Sequence, residues 1–190
     1  MERSKQHPKK HFNTTGKCYP SEHYMVDIHN QLAQLQQMVS RGDYFCMNRA
    51  RQYGKTTTLN ALEEYLKGEY LVLSLDFQLM GTKDFSDEVI FANSFRKDIA
   101  MALEDVEDQT VTLPRTASDG GAYGLKELFI DLSKMCGNSP RPVVLMIDEV
   151  DSAGNNQVFI DFLAQLRGYY LKRDKRPIFH SVILAGVYNI

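Results

Sequence analysis

An apolar run, Tyr44-Phe45-Cys46-Met47, leads through N-R-A-R-Q-Y-G-K-T-T-T (Asn48 to Thr58) straight into a helix-forming stretch, Leu59 to Lys67. That order constrains the chain more than any other feature. A strand that turns through Gly-Lys-Thr into a helix is the context in which a phosphate-cradling loop is credible. The residue types suit the chemistry. Gly54 lets the backbone approach an anion without a Cβ, and successive N–H groups at the helix start face it. Lys55 reaches far enough for β- and γ-phosphates, and the Thr56 hydroxyl is a ligand for Mg²⁺. Tyr53 and Thr57 flank these residues as further candidate contacts. The full pattern G-x-x-x-x-G-K-[ST] asks for glycine at position 49, where this chain has Arg49.

A second motif lies far downstream. Val143-Val144-Leu145-Met146-Ile147 is an uninterrupted apolar run closed by Asp148-Glu149, with Pro140 and Pro142 before it and Gly154 after it. Such a run suits a strand buried on both faces of a parallel sheet. Acids at its carboxyl end lie where open α/β sheets bind ligands. In a Walker B arrangement Asp148 supports Mg²⁺, partly through water, and Glu149 polarises the attacking water as general base. The catalytic candidates are therefore Glu149 and Lys55, and the metal candidates Thr56 and Asp148.

The 190 residues, 43% of them apolar, suit one α/β domain with a real core. With 22 basic and 24 acidic side chains, net −2, the chain as a whole makes no case for a nucleic-acid-binding surface. The extreme N-terminus is the exception, since Arg3, Lys5, Lys9, Lys10 and Lys17 face only Glu2; residues 1–18 are expected to form a basic disordered tail. It lacks the apolar segment of a secretory signal, and no stretch approaches the ~20 apolar residues that span a bilayer. Three cysteines at unrelated spacings, Cys18, Cys46 and Cys136, fit a reducing cytoplasm rather than a disulfide framework. Cys46 is expected in core packing. The five histidines are scattered, which leaves a histidine-based nucleophilic site without support.

Periodicity places the remaining elements. Ile28, Leu32, Leu35, Met38 and Val39 predict a helix that Arg41-Gly42-Asp43 stops. Strand one is about 44–48, and strand two is 70–75, followed by Asp76. A long helix follows with Asp84 or Ser86 as N-cap and Val89, Phe91, Phe95, Ile99 and Leu103 inward. Gln109 to Gly124 reads as an exposed loop. Leu125, Leu128, Phe129, Leu132 and Met135 predict a helix ended by Gly137. After the acid pair, Asn155 or Asn156 caps a helix carrying Phe159, Phe162, Leu163, Leu166 and Tyr170, and strand four is 178–184. Alternating strands and helices predict a parallel, three-layer α/β/α sandwich.

R-A-R-Q-Y-G-K-T-T-T, L-S-L-D-F-Q, V-L-M-I-D-E-V-D and S-V-I-L-A-G-V-Y together resemble the predicted AAA-like ATPases of bacteria, P-loop proteins with an additional strand and a catalytic glutamate. Tyr24-Met25-Val26-Asp27 is similar to the short acidic segment that precedes their first helix. The resemblance spans residues 19–190. It implies ATP and Mg²⁺ as ligands, with Gly54, Lys55 and Thr56 at the phosphates and metal and Asp148 and Glu149 as the Walker B pair. It implies the strand order 5-1-4-3-2, with strand four between strands one and three and a polar sensor near Ala185-Gly186 or Asn189. Strand five, a helical lid and the nuclease-like domain of some members are expected to lie outside this chain. The resemblance therefore implies a core truncated after strand four, slow at turnover alone and open to oligomerisation.

Other residues carry two readings each. Arg51 adds charge near the phosphates or is a solvated loop residue, with Gln52 beside it. Asp151, in D-E-V-D, reads as an acid near the next helix start rather than part of a helicase box. Asp76 reads as a strand-end turn acid, with an approach to Mg²⁺ or water as the alternative. Tyr169-Tyr170 with Lys172, Arg173, Lys175 and Arg176 reads as a charged helix C-terminus favoured by the dipole, with a nucleic-acid or partner face as the alternative. For the whole chain, an ATPase module driving conformational change in a larger assembly stands first. A nucleotide-operated switch with little turnover stands second, and small-molecule phosphotransfer is disfavoured by the acid pair.

Overall fold

The structure, a computed structural model, describes residues 10, 22–24, 27–48, 54–106, 110–115, 122–154 and 156–186. Its elements follow as α1 (His29–Ser40), β1 (Tyr44–Asn48), α2 (Lys55–Leu66), β2 (Leu71–Asp76), α3 (Glu88–Glu104), α4 (Leu125–Asn138), β3 (Val143–Asp148), α5 (Gln157–Leu171) and β4 (Ser181–Gly186). The four strands form one parallel sheet in the order β1-β4-β3-β2. This is the expected three-layer α/β/α sandwich, with β4 between β1 and β3.

Side-chain alternation along the strands divides the core in two. Leu71, Leu73, Leu75, Val143, Leu145, Ile147, Val182 and Leu184 pack against α3, α4 and α5. Met47, Val72, Val144, Met146, Ile183 and Ala185 pack against α1 and α2. The first layer is dense in phenylalanine, and Phe95 and Phe162 approach to 4.7 Å between ring centroids. Each fully buried phenylalanine contributes about 1.5–3 kcal/mol from removed apolar area. β3 and β4 are buried along their whole length, as an apolar run in a central strand requires.

Several boundaries differ from expectation. α2 starts at Lys55 rather than Leu59, because Gly54 supplies the left-handed turn that lets the helix begin there. The N-cap of α3 is Asp87, whose carboxylate accepts from the N–H groups of Val89 and Ile90. Asp84 instead accepts from Gly81 N–H and the Ser94 hydroxyl, and the Ser86 hydroxyl donates to the Lys83 carbonyl. α4 runs through Gly137 and stops where Ser139 turns extended before Pro140. β4 begins at Ser181, with Ile178 and Phe179 buried in the approach. Cys46 is exposed, because β1 is an edge strand on which only Met47 is buried.

The segment expected as an exposed loop is anchored at both described ends. Val111 and Tyr123 are buried, and Arg96 donates to the carbonyls of Leu113 and Pro114, 3.0 Å each. Tyr123 donates to the fully buried Asp131 at 2.7 Å. The Glu88 carboxylate caps the start of α4 by accepting from Leu125 N–H at 2.8 Å. A Cβ at Gly124 would lie 2.4 Å from that carboxylate, which would have to shift to admit a side chain.

Candidate phosphate and metal site

Parallel strands carry all their carboxyl ends to one edge of the sheet, and the sequence motifs meet there. At the start of α2, Gly54 has φ 72, and a Cβ there would meet nothing within 4 Å. Glycine is therefore demanded by the left-handed backbone. The first helical bond runs from Thr58 N–H to the Gly54 carbonyl, so the N–H groups of Lys55, Thr56 and Thr57 have no intrahelical partner. No side chain caps this end and no acid occupies its first turn. The Thr58 hydroxyl also donates to the Gly54 carbonyl at 2.8 Å, a tie that the sequence motif does not signal. Tyr53, Arg49, Arg51 and Gln52 lie outside the described residues.

The end of β3 faces this helix start. Thr56 Oγ1 donates to Asp148 Oδ2 at 2.7 Å. Lys55 Nζ lies 3.1 Å from Asp148 Oδ1 and 2.9 Å from Glu149 Oε1. Lys55 and Asp148 are both 7% exposed, so this pairing is shielded from water. Burial works against the lysine charge, but the hydrogen bonds and charges of Glu149 and Asp148 outweigh it and hold the ammonium above its usual range. Glu149 has φ 53, the one left-handed residue other than glycine among those described. That conformation costs of order 1–3 kcal/mol. It is held by Glu149 N–H donating to Asp148 Oδ1 at 2.8 Å and by Ser152 N–H donating to the Glu149 carbonyl.

Two further acids border the site. Asp76 is the register partner of Asp148 and accepts from Gln78 N–H, as a strand-end turn acid does. Burial, then the charges of Asp148 and Glu149, push its carboxyl above the usual range against the lowering from Gln78 N–H and Lys55. Asp151 is the acid in the first turn of a short 3-10 helix, Val150–Ala153, which precedes α5, in line with an acid near the next helix start. Its carboxylate lies over Gly186 at the end of β4, where a Cβ would come within 2.7 Å of Oδ1. This relation was missed because neither a lone aspartate nor a lone glycine signals it in sequence. The expected sensor neighbourhood, Ala185-Gly186, thus closes β4 with no polar side chain of its own, and Asn189 lies outside the described residues.

The oxygen set fits Mg²⁺. Thr56 Oγ1 and Asp148 Oδ2, 2.7 Å apart, have about the separation of neighbouring oxygens around an octahedral ion with ligands at about 2.0–2.1 Å. Among the described residues no group of three or more His, Cys, Asp or Glu is placed to hold a metal ion. Asp76 adds negative charge beside them. At the far end of the sheet, Arg173 stacks on Tyr170 at 4.0 Å and donates to its carbonyl, which supports the charged helix-end reading of that basic run.

No family model matches the chain, and no curated protein does. Solved structures do. A Walker-type ATPase of Pyrococcus abyssi superposes with a TM-score of 0.61 at 16% identity, over 92% of this chain and 48% of that one. The ORC1 protein of Aeropyrum pernix, in a complex with DNA, superposes with a TM-score of 0.50 at 16% identity, over 88% of this chain and 40% of that one. The chain thus spans less than half the length of these neighbours. Among the described residues no helix is long and apolar enough to cross a membrane. At these identities the likeness concerns architecture: the chain shares the parallel α/β/α fold of these two proteins.

Proposed function

We propose that this chain is an ATP-binding P-loop module that hydrolyses ATP with Mg²⁺ and drives a conformational change in a larger protein or assembly. The observation that carries the reading is the convergence of Lys55, Thr56, Asp148 and Glu149 at the unpartnered start of α2. The N–H groups of Lys55 to Thr57 and the Lys55 ammonium bind the phosphates, with Gly54 shaping the turn. Thr56 and Asp148 hold Mg²⁺, which when bound supplies charge neutralisation at the phosphate oxygens. Glu149 takes the proton of the attacking water as general base. Multiple-turnover phosphate release, dependent on Mg²⁺ and abolished in Glu149→Gln, is the test.

One observation favours a second reading, a nucleotide-held switch with little turnover: Glu149 is engaged by Lys55 at 2.9 Å. Retention of a single bound nucleotide without phosphate release would select it. The finer placement, among bacterial cytoplasmic AAA-like ATPases with residues 19–190 as the core and 1–18 as a basic tail, rests on the motif runs. A nucleic-acid partner draws on the DNA complex of the Aeropyrum pernix neighbour and is opposed by the net charge of −2.

A further inference from the structure

The end of α5 concentrates positive charge beyond what its own helix uses. Residues 167–176 carry five basic side chains and one acid, Asp174, in a chain whose net charge is −2. A helix C-terminus offers cations only about half an elementary charge. Arg173 already meets it, stacking on Tyr170 and donating to the Tyr170 carbonyl at 3.1 Å. Arg167 lies over the Tyr44 ring at 5.6 Å. Lys172, Lys175 and Arg176 remain. All three are exposed, and among the described residues no ion pair or hydrogen bond engages their side chains.

These three cations border a cavity of about 460 Å³ together with Gln165, Gly168 and Tyr169. Gln165, Gly168, Tyr169 and Lys172 stand at i, i+3, i+4 and i+7, one face of the helix. The chain then turns back, the N–H groups of Lys175 and Arg176 both donating to or toward the last turn at the Lys172 carbonyl. Gly168 lines the cavity with bare backbone. Its φ is not left-handed and a Cβ there would meet no atom within 4 Å, so neither conformation nor crowding calls for glycine. Glycine is also a poor helix former at an interior position. Its effect here is a gap in the helix face. Beside the gap stands the Tyr169 ring, stacked on Phe129 at 4.8 Å.

We propose that this cavity binds single-stranded nucleic acid, with phosphates on Lys172, Lys175 and Arg176 and one base laid over Gly168 beside Tyr169. An unpaired base needs a flat apolar surface and its phosphates need cations within a nucleotide's reach. The cavity supplies both, and its lining includes no acid. An acidic peptide would engage the cations and leave the gap at Gly168 unused. The site is independent of the nucleotide reading. α5 runs back from the end of β3 to the start of β4, and Tyr170 donates to the Gly42 carbonyl just before β1. The cavity therefore lies at the edge of the sheet opposite Lys55 and Asp148.

The test titrates the whole chain into fluorescein-labelled oligothymidylate and oligouridylate of about eight nucleotides, read by anisotropy at one fixed salt concentration. Saturable binding of either is expected, and the tighter of the two tells DNA from RNA. An abasic strand of the same length is expected to bind about tenfold more weakly, the loss of one stacked base. Combined Lys172→Glu, Lys175→Glu and Arg176→Glu is expected to weaken binding by about 100-fold or more, its melting curve confirming the fold. Gly168→Leu fills the gap with a better helix former. It is expected to lose about tenfold in affinity while melting at or above the parent temperature, a pairing that a purely structural glycine would not give. No saturable binding, equal binding of the abasic strand, full binding by Gly168→Leu or by the charge-reversed chain, or equal affinity for an oligoglutamate peptide overturns the proposal.

Discussion

Lys55 Nζ and Glu149 Oε1 lie 2.9 Å apart, each holding the other at the edge of the sheet. In the proposed reaction these are the cation that meets the phosphates and the acid that activates water. An arriving phosphate competes with Glu149 for Lys55. In that proposal, binding would release the base toward the water, and the pairing would keep the acid occupied beforehand.

Replacing Lys55 by alanine removes the ammonium that the proposed function assigns to the phosphates. Nucleotide affinity in calorimetry is expected to fall about ten- to a hundredfold, the range for hydrogen bonds to charged groups. The fold should persist, since Asp148 keeps Thr56 and the Glu149 N–H as partners. Affinity equal to that of the parent chain would reject Lys55 as a phosphate ligand.

Glu149→Gln retains shape and hydrogen bonding but cannot accept the water proton. Phosphate release is expected to drop about 10²–10⁴-fold with nucleotide binding kept. Undiminished turnover would move the base elsewhere, with Asp76 the nearest remaining carboxylate by strand register.

Gly186→Ala drives a methyl group to 2.7 Å from Asp151 Oδ1. A loss of about 1–3 kcal/mol in denaturant unfolding is expected, as for other overpacked sites. In an Asp151→Ala background the same change should cost less, since the carboxylate is gone and Val150 Cγ2 at 3.0 Å remains as the close neighbour. Strictly additive effects in this double-mutant cycle would show that the two residues are not coupled.

Asp98 supplies a pH dependence. Burial, and then the charge of Asp84, push its carboxyl from 3.8 to about 6, against a lowering by Lys97. Between those values the folded chain binds more protons than the unfolded one, so this contribution is present below the unfolded value and is lost as pH rises through about 6. Asp98→Asn removes that slope. Its unfolding free energy should match the parent near pH 4 and exceed it above pH 6, by on the order of 1 kcal/mol after solvent screening. A gap that stays constant with pH would assign the effect to something other than this carboxylate.

What the sequence determined by itself was local. Gly54-Lys55-Thr56 between a strand and a helix, and Asp148-Glu149 at the end of an apolar run, were legible because backbone conformation and strand burial leave short-range marks in residue type. The same marks misled at Cys46 and at the cap of α3. An apolar strand does not say which strand is an edge, and several acids compete for one N-cap. Only the tertiary structure decided what touches what. It set Thr56 against Asp148, Lys55 against Glu149, and Asp151 over Gly186. Hydrophobic periodicity specifies which side chains leave water, whereas contacts between distant elements depend on strand order and register, which the packing of the whole chain settles.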